Sequence, residues 1–315
     1  MQNPSELYRI ETEAPLEHRP GVLVGALAGY IDAGQINHVL ARHLLKTGDP
    51  EVIATFDVDQ LLDYRGRRPA MVFDTDHYTS YEDPSLLLYR LTDRDGRSFY
   101  LLDGPEPDYQ WERMVQAIRE LMDAVGATTL VSAHGIPMGV PHTRPLSMTV
   151  HGTDSSLTGG AASPFGKVQL PSNFLALLEL RLGEEGRPAV GWAVHVPHYL
   201  SQFEFSEGAL TGLTAIAGST GLNLSNDALV AAAGKDTEQI SAQVAENDEV
   251  RAVVSALEQQ YDRFVASQEK PSLLATDSTP VPTADELGAE LEAFLRSMSQ
   301  EESNDKHSDD SGPDA

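Results

Sequence analysis

Apolar and polar positions follow two regimes along the chain. Up to about residue 204, short apolar runs alternate with stretches in which apolar residues recur every three or four positions, and beyond it only the second pattern continues. Gly21 to Leu27 (GVLVGAL) is an unbroken apolar run and reads as a buried strand. Ile31 to Lys46 reads as a helix, with Ile36, Val39, Leu40, His43 and Leu44 near one face. Glu51 to Phe56 supplies the next strand. Leu86 to Thr92 and Ser98 to Leu102 flank Asp93-Arg94-Asp95-Gly96, whose turn chemistry signals a hairpin. Tyr109 to Val125 reads as a long amphipathic helix, and Thr128 to Ala133 and Ala189 to Val196 read as core strands. Between those strands, Pro171 is expected to open a helix at Ser172 to Leu182. Such alternation implies an α/β fold: a three-layer sandwich with a mostly parallel sheet, one antiparallel hairpin, and a C-terminal helical part.

The expected division is an α/β domain at 1–204, a helical C-terminal domain at 205–268, a linker at 269–282, an amphipathic helix at 283–298 and a disordered acidic tail at 299–315. In the helical part, Gly208 to Ser219, Asn226 to Asn247 and Val250 to Gln268 carry the pattern; Gly221 is expected to end the first helix, and Ser225 or Asn226-Asp227 to cap the second. Leu287, Leu291, Phe294 and Leu295 share one face of the last helix. The tail lacks apolar residues apart from its final alanine.

Charge and composition then narrow the function. The formal net charge of −26 argues against nucleic acid, because binding a phosphate backbone needs lysine and arginine to displace counterions. Solubility or a basic partner surface fits it better. No cysteine is present, which removes disulfides, thiol nucleophiles and thiolate metal sites together. Neither a signal peptide nor a membrane span is expected, and the reading is of a soluble, cytoplasmic chain.

Four segments carry candidate chemistry. Ala28 to Gly34 (AGYIDAG) joins a strand to a helix, where glycines let backbone amides meet an anion; Asp32 sits where that anion would go and more readily caps the helix. Phe56 to Pro69 (FDVDQLLDYRGRRP) holds Asp57, Asp59, Asp63, Arg65, Arg67 and Arg68, either as an arginine clamp for a carboxylate or phosphate or as charges that neutralise one another. Asp103 to Asp108 (DGPEPD) is a rigid turn in which Asp108 is expected to cap the following helix, while Glu106 and Asp108 are close enough to raise a carboxylate pair. His134, His142, His151, His195 and His198 crowd the middle of the chain, yet no established zinc spacing is present and no metal is expected. The Gly-x-Ser-x-Gly elbow of serine hydrolases is absent.

Five blocks in order, GYIDAGQ at 29–35, FDVDQLLDYRGRRP at 56–69, LLDGPEPDYQWERM at 101–114, GIPMGVPHTRP at 135–145 and HVPHYL at 195–200, together resemble the proteasome assembly chaperone 2 family in its actinobacterial form. The resemblance implies a fold like that of purine nucleoside phosphorylases with an appended helical part. It also implies a non-catalytic chaperone-like role without a cofactor, a proteasome-related partner, and a homo-oligomer, with a trimer or hexamer in keeping with that fold. The eukaryotic namesake docks through a hydrophobic-tyrosine tail, whereas this chain ends SDDSGPDA, so docking by that route is not expected. Two readings follow. In one, the sheet edge and helical part build a homo-oligomer that presents an acidic surface. In the other, a nucleoside-phosphorylase-like or hydrolase-like enzyme binds a small molecule through Gly29, Asp32, Gly34, Arg65, Arg68, His142, Arg144 and His198. The first is preferred.

Overall fold

After a 3₁₀ turn at Pro4–Leu7 comes strand β1 (Tyr8–Ile10), followed by β2 (Gly21–Ala28), α1 (Ile36–Thr47), β3 (Glu51–Phe56), α2 (Val58–Leu61), β4 (Met71–Asp74), β5 (His77–Tyr81), β6 (Leu87–Thr92) and β7 (Ser98–Pro105). Then come α3 (Trp111–Val125), β8 (Ala127–Met138), β9 (Met148–Gly152), α4 (Phe174–Glu184), β10 (Ala189–Pro197), α5 (Ser206–Thr220), α6 (Asp227–Glu246) and α7 (Asp248–Gln268). The computed structural model describes residues 3–11, 19–160 and 166–268; the expected linker, 283–298 helix and tail lie outside them. The chain divides into two compact units, Met1–Asp262, which holds the sheet and its covering helices, and Arg263–Ala315, whose described residues 263–268 are helical. No described helix is long and apolar enough to cross a membrane.

Eight strands form one sheet in the order β1-β3-β6-β7-β2-β8-β10-β9. The four central strands β7, β2, β8 and β10 run parallel, and the antiparallel β6–β7 hairpin, β3, β1 and β9 extend the two sides. Because successive side chains of a strand point to opposite faces, each central strand feeds both cores. Leu23, Leu102 and Leu130 pack with Met114, Ile118 and Leu121 of α3 and Phe174, Leu178 and Leu182 of α4. Their neighbours Val24, Leu101 and Val131 pack with Ile36, Leu40 and Leu44 of α1 and Ala209, Leu213 and Ile216 of α5. The three layers expected from the alternation are therefore present, with the apolar face of α1 as the pattern placed it.

Several boundaries move for local reasons. The first helix begins at Ile36, not Ile31, because Gly34 (φ 72°) and Gln35 (φ 50°) take left-handed conformations that break it into a 3₁₀ turn and a helix. The helix after Pro171 begins at Phe174, capped by Asn173, whose Oδ1 accepts from Ala176 N at 2.8 Å. The strand expected at Thr128 to Ala133 continues to Met138, since β10 pairs with it in register as far as Pro197. Gly221 ends α5 in the left-handed region, as expected (φ 67°). Neither Ser225 nor Asn226 caps α6 with its side chain; Ser225 Oγ instead accepts from Arg94 at 2.8 Å. The β4–β5 ribbon and the edge strand β9 were not anticipated.

Candidate functional site

Strands β2 and β8 are neighbours, but β2 leads through α1 toward β3 on one side of the sheet and β8 leads through α4 to β10 on the other. Adjacent parallel strands that depart in opposite directions open a crevice beyond their carboxyl ends, where α/β proteins bind ligands. Here that crevice is rimmed by Gly29 and Tyr30 after β2, Glu106 after β7 and His134 within β8.

Glu106 organises it. Its side chain is buried (6% exposed), with Oε1 accepting from Phe174 N at 2.5 Å at the start of α4 and Oε2 accepting from Tyr30 N at 3.1 Å. A carboxylate there satisfies an amide that the helix leaves open and suits the positive end of its dipole. Gly29 is glycine for the same reason, since a Cβ at this position would lie 2.3 Å from Glu106 Oε2. Asp32 does the matching work on the other face: its oxygens accept from Asn37 N at 2.9 and 3.1 Å in the first turn of α1. The carboxyl is pushed up to about 6 by burial, against the lowering effect of hydrogen bonds from the amides of Asn37 and Gly135.

The Asp32 shift carries a pH signature. In the folded chain the carboxyl holds its proton to a higher pH than in the unfolded chain, so its contribution to stability is fully present below the unfolded value and is lost as pH rises from about 4 to about 6. Asp32→Asn removes that dependence. The variant is expected to gain about 2–3 kcal/mol relative to wild type between about pH 4 and about pH 7, read from urea unfolding at each pH, and a constant difference would contradict the assignment.

The aspartate and arginine block is not held by mutual neutralisation of its charges. Asp57 Oδ1 accepts from Asp59 N at 3.2 Å and Asp63 Oδ1 from Arg65 N at 2.9 Å, so two aspartates serve local amides and not the arginines beside them. Arg67 pairs with Asp108 at 3.0 Å and donates to the Glu106 carbonyl at 2.7 Å. Asp108 does not cap α3; its Oδ2 accepts from Asp63 N at 2.7 Å, and the residue before α3, Gln110, is left-handed. Arg65 and Arg68 are exposed.

The residues singled out from the sequence fall in separate places. Gly29 and Asp32 line one open cleft of about 730 Å³ with Tyr30, His38 and Arg67. Gly34 is sewn to the segment before α5, donating to the Ser201 carbonyl at 2.9 Å and accepting from Phe205 N at 2.9 Å. His142 lines a different cleft, along α6 and α7, and its backbone N and Nδ1 both lie 2.8 Å from the Tyr199 hydroxyl. Arg144 holds α7 by a fork to Asp262 (2.8 and 2.9 Å), and His198 is exposed with its ring against Tyr199. His195 is buried between the hydroxyls of Ser147 and Thr149, each at 2.9 Å. Sequence reasoning did not single out Asn37 or the double acceptor role of Glu106; the glycine at 29, directly after a buried strand, was the signal that something approaches it closely.

The comparisons with known proteins agree with this architecture. The PAC2 family model matches residues 26–244. A solved structure of a Mycobacterium tuberculosis protein of unknown function, Rv2714, is similar at 41% identity with a TM-score of 0.80, over 84% of this chain and 92% of that one. One from Corynebacterium glutamicum, also of unknown function, is similar at 34% identity with a TM-score of 0.79, over 84% and 100%. The Mycobacterium tuberculosis proteasome-assembly chaperone homologue Rv2125 shares the fold at 21% identity with a TM-score of 0.68, over 74% and 99%. No curated protein matches the chain. On the match over residues 26–244, more than half of its length, the chain belongs to the PAC2 family.

Proposed function

We propose that this PAC2 protein is a non-catalytic interaction protein with an assembly-chaperone-like role, acting in the cytoplasm as a homo-oligomer on a proteasome-related partner. The β4–β5 ribbon carries the proposal. Cross-strand partners share a face, and Met71 pairs with Tyr81 and Phe73 with Tyr78, so four large side chains stand on one side of a two-stranded ribbon. They are 46–67% exposed, with the Phe73 and Tyr78 rings in edge contact at 5.2 Å. A contiguous apolar surface of this kind marks a protein–protein contact. At the carboxyl edge, Asp32, Glu106 and Asp108 are occupied by backbone amides, an arrangement that suits scaffolding better than proton transfer. The kinship with a proteasome-assembly chaperone homologue supports the nature of the partner.

Light scattering on the full chain tests the assembly. Wild type is expected as a defined oligomer, and Phe73→Asp with Tyr78→Ser is expected to dissociate it while leaving the melting temperature in place, because these side chains contribute little to the core. In crosslinked pull-downs wild type should enrich proteasome subunits and the double variant should not. A monomeric wild type, or equal enrichment by both proteins, would count against the reading.

A further inference from the structure

Beside Gly29 and Tyr30, between the carboxyl ends of β2 and β8, lies a small, partly open space of about 20 Å³ whose polar walls include Asn37, Glu106, His134 and Asn173. Asn37 is 2% exposed, and its side-chain carbonyl has no hydrogen-bond partner. A buried amide left open in this way costs about 1–3 kcal/mol, and native interiors rarely keep one. The neighbouring His134 imidazole makes no hydrogen bond among the described residues; its ring contact is with His151 at 5.8 Å. Burial lowers its pKa to about 4, with His151 adding to the effect, so it is neutral at physiological pH, with one nitrogen donating and the other accepting.

The charged groups nearby are already engaged. Glu106 accepts from Tyr30 N and Phe174 N, and Asp32 from Asn37 N. No lysine or arginine lines the inner space, so an anion would meet the Glu106 carboxylate there without a counter-charge. A cation would leave the donor of His134 unused. What the walls leave open is neutral donor and acceptor capacity, in a space slightly larger than the roughly 10–15 Å³ needed by one water. Gly29 and Tyr30 also wall the 730 Å³ cleft outside, a volume within the range of small-molecule sites. The Tyr30 side chain is 69% exposed between them.

We propose that this crevice is a binding site for a small uncharged ligand whose head group both donates and accepts hydrogen bonds, a carboxamide or a hydroxyl. The head sits against Asn37 and His134, and the rest of the ligand lies in the outer cleft along Tyr30 and His38. The site is separate from the β4–β5 ribbon, so it can fail while the interaction role stands.

Acetamide and glycerol serve as probes for the full chain, with sodium acetate and ammonium chloride as charged controls. Saturable shifts of the Asn37 side-chain amide and the His134 ring nitrogens in NMR spectra are expected with acetamide or glycerol and not with the ions. Asn37→Leu, which replaces an unpartnered amide by an apolar group of similar size, is expected to abolish the His134 shift and to keep the melting temperature. If that variant does not fold, a crystal of wild type soaked in acetamide decides the matter by density between Asn37 and His134. Ordered water alone in the soaked crystal, equal shifts with acetate, or shifts retained in the folded Asn37→Leu variant would each overturn the proposal.

Discussion

Replacing Glu106 with leucine is expected to lower the unfolding free energy by about 3–5 kcal/mol, among the larger effects available to a single side chain. The substitution keeps the volume and removes both acceptors, so the Phe174 amide at the start of α4 is left buried without a partner and the Tyr30 amide loses its own. Loss of a helix cap contributes about 1 kcal/mol and desolvation of the stranded amides supplies the rest. Glu106→Gln keeps one good acceptor and is expected to lose about 1–2 kcal/mol. Urea unfolding with an unchanged slope is the measurement, since a shift of midpoint alone reports native-state stability. A leucine variant within 1 kcal/mol of wild type, roughly the worth of one net hydrogen bond, would mean that Glu106 is not the acceptor that joins the two sides of the crevice.

Gly135→Ala is expected to be of similar severity through sterics instead of polarity. A Cβ at residue 135 would stand 1.8 Å from the Ala33 carbonyl oxygen, a backbone atom that cannot swing aside. The turn holding Ala33 is tied down by Gln35 N to the Asp32 carbonyl at 3.0 Å and by Gly34 N to the Ser201 carbonyl at 2.9 Å. Either β8 or that turn must shift, at about 3–4 kcal/mol and a fall of roughly 10 °C in the thermal midpoint. Gly218→Ala in α5 is the control, because nothing lies within 4 Å of the added Cβ. There the gain in helix propensity is expected to raise stability by about 0.5–1 kcal/mol. Equal midpoints for the two variants would refute the close approach at residue 135.

The layers were legible because their signals are local. GVLVGAL could only be a strand with two buried faces, the Asp93 to Gly96 turn places Gly96 at φ 79°, and α3 shows its apolar stripe without interruption. Much of the crevice was not, because its bonds join residues far apart in the chain. Asp108 stands in the right place to cap α3, yet serves Asp63, 45 positions upstream. Of three arginines with the same chemistry, Arg67 alone pairs with Asp108, a choice made by the path of the loop and not by composition. Asp32 was readable as a helix cap, but the kink at Gly34 puts it four residues ahead of the helix it serves. The ribbon was missed because its strands lack a strand's alternation, Met71-Val72-Phe73 being consecutive and Tyr78 and Tyr81 three apart, and because none of them faces a core.

The borders of the large sheet are also informative. One is β1, with three residues, and the other is β9, with five. Brief outer strands give an incoming chain little backbone to register against, so the main sheet is poorly suited to templating open-ended polymers. An exposed apolar face is placed instead on a separate two-stranded appendage, whose contact can be closed by one copy or one client without lengthening the sheet. A protein carrying −26 formal charges can in this way stay dispersed at high abundance and still keep an adhesive surface available.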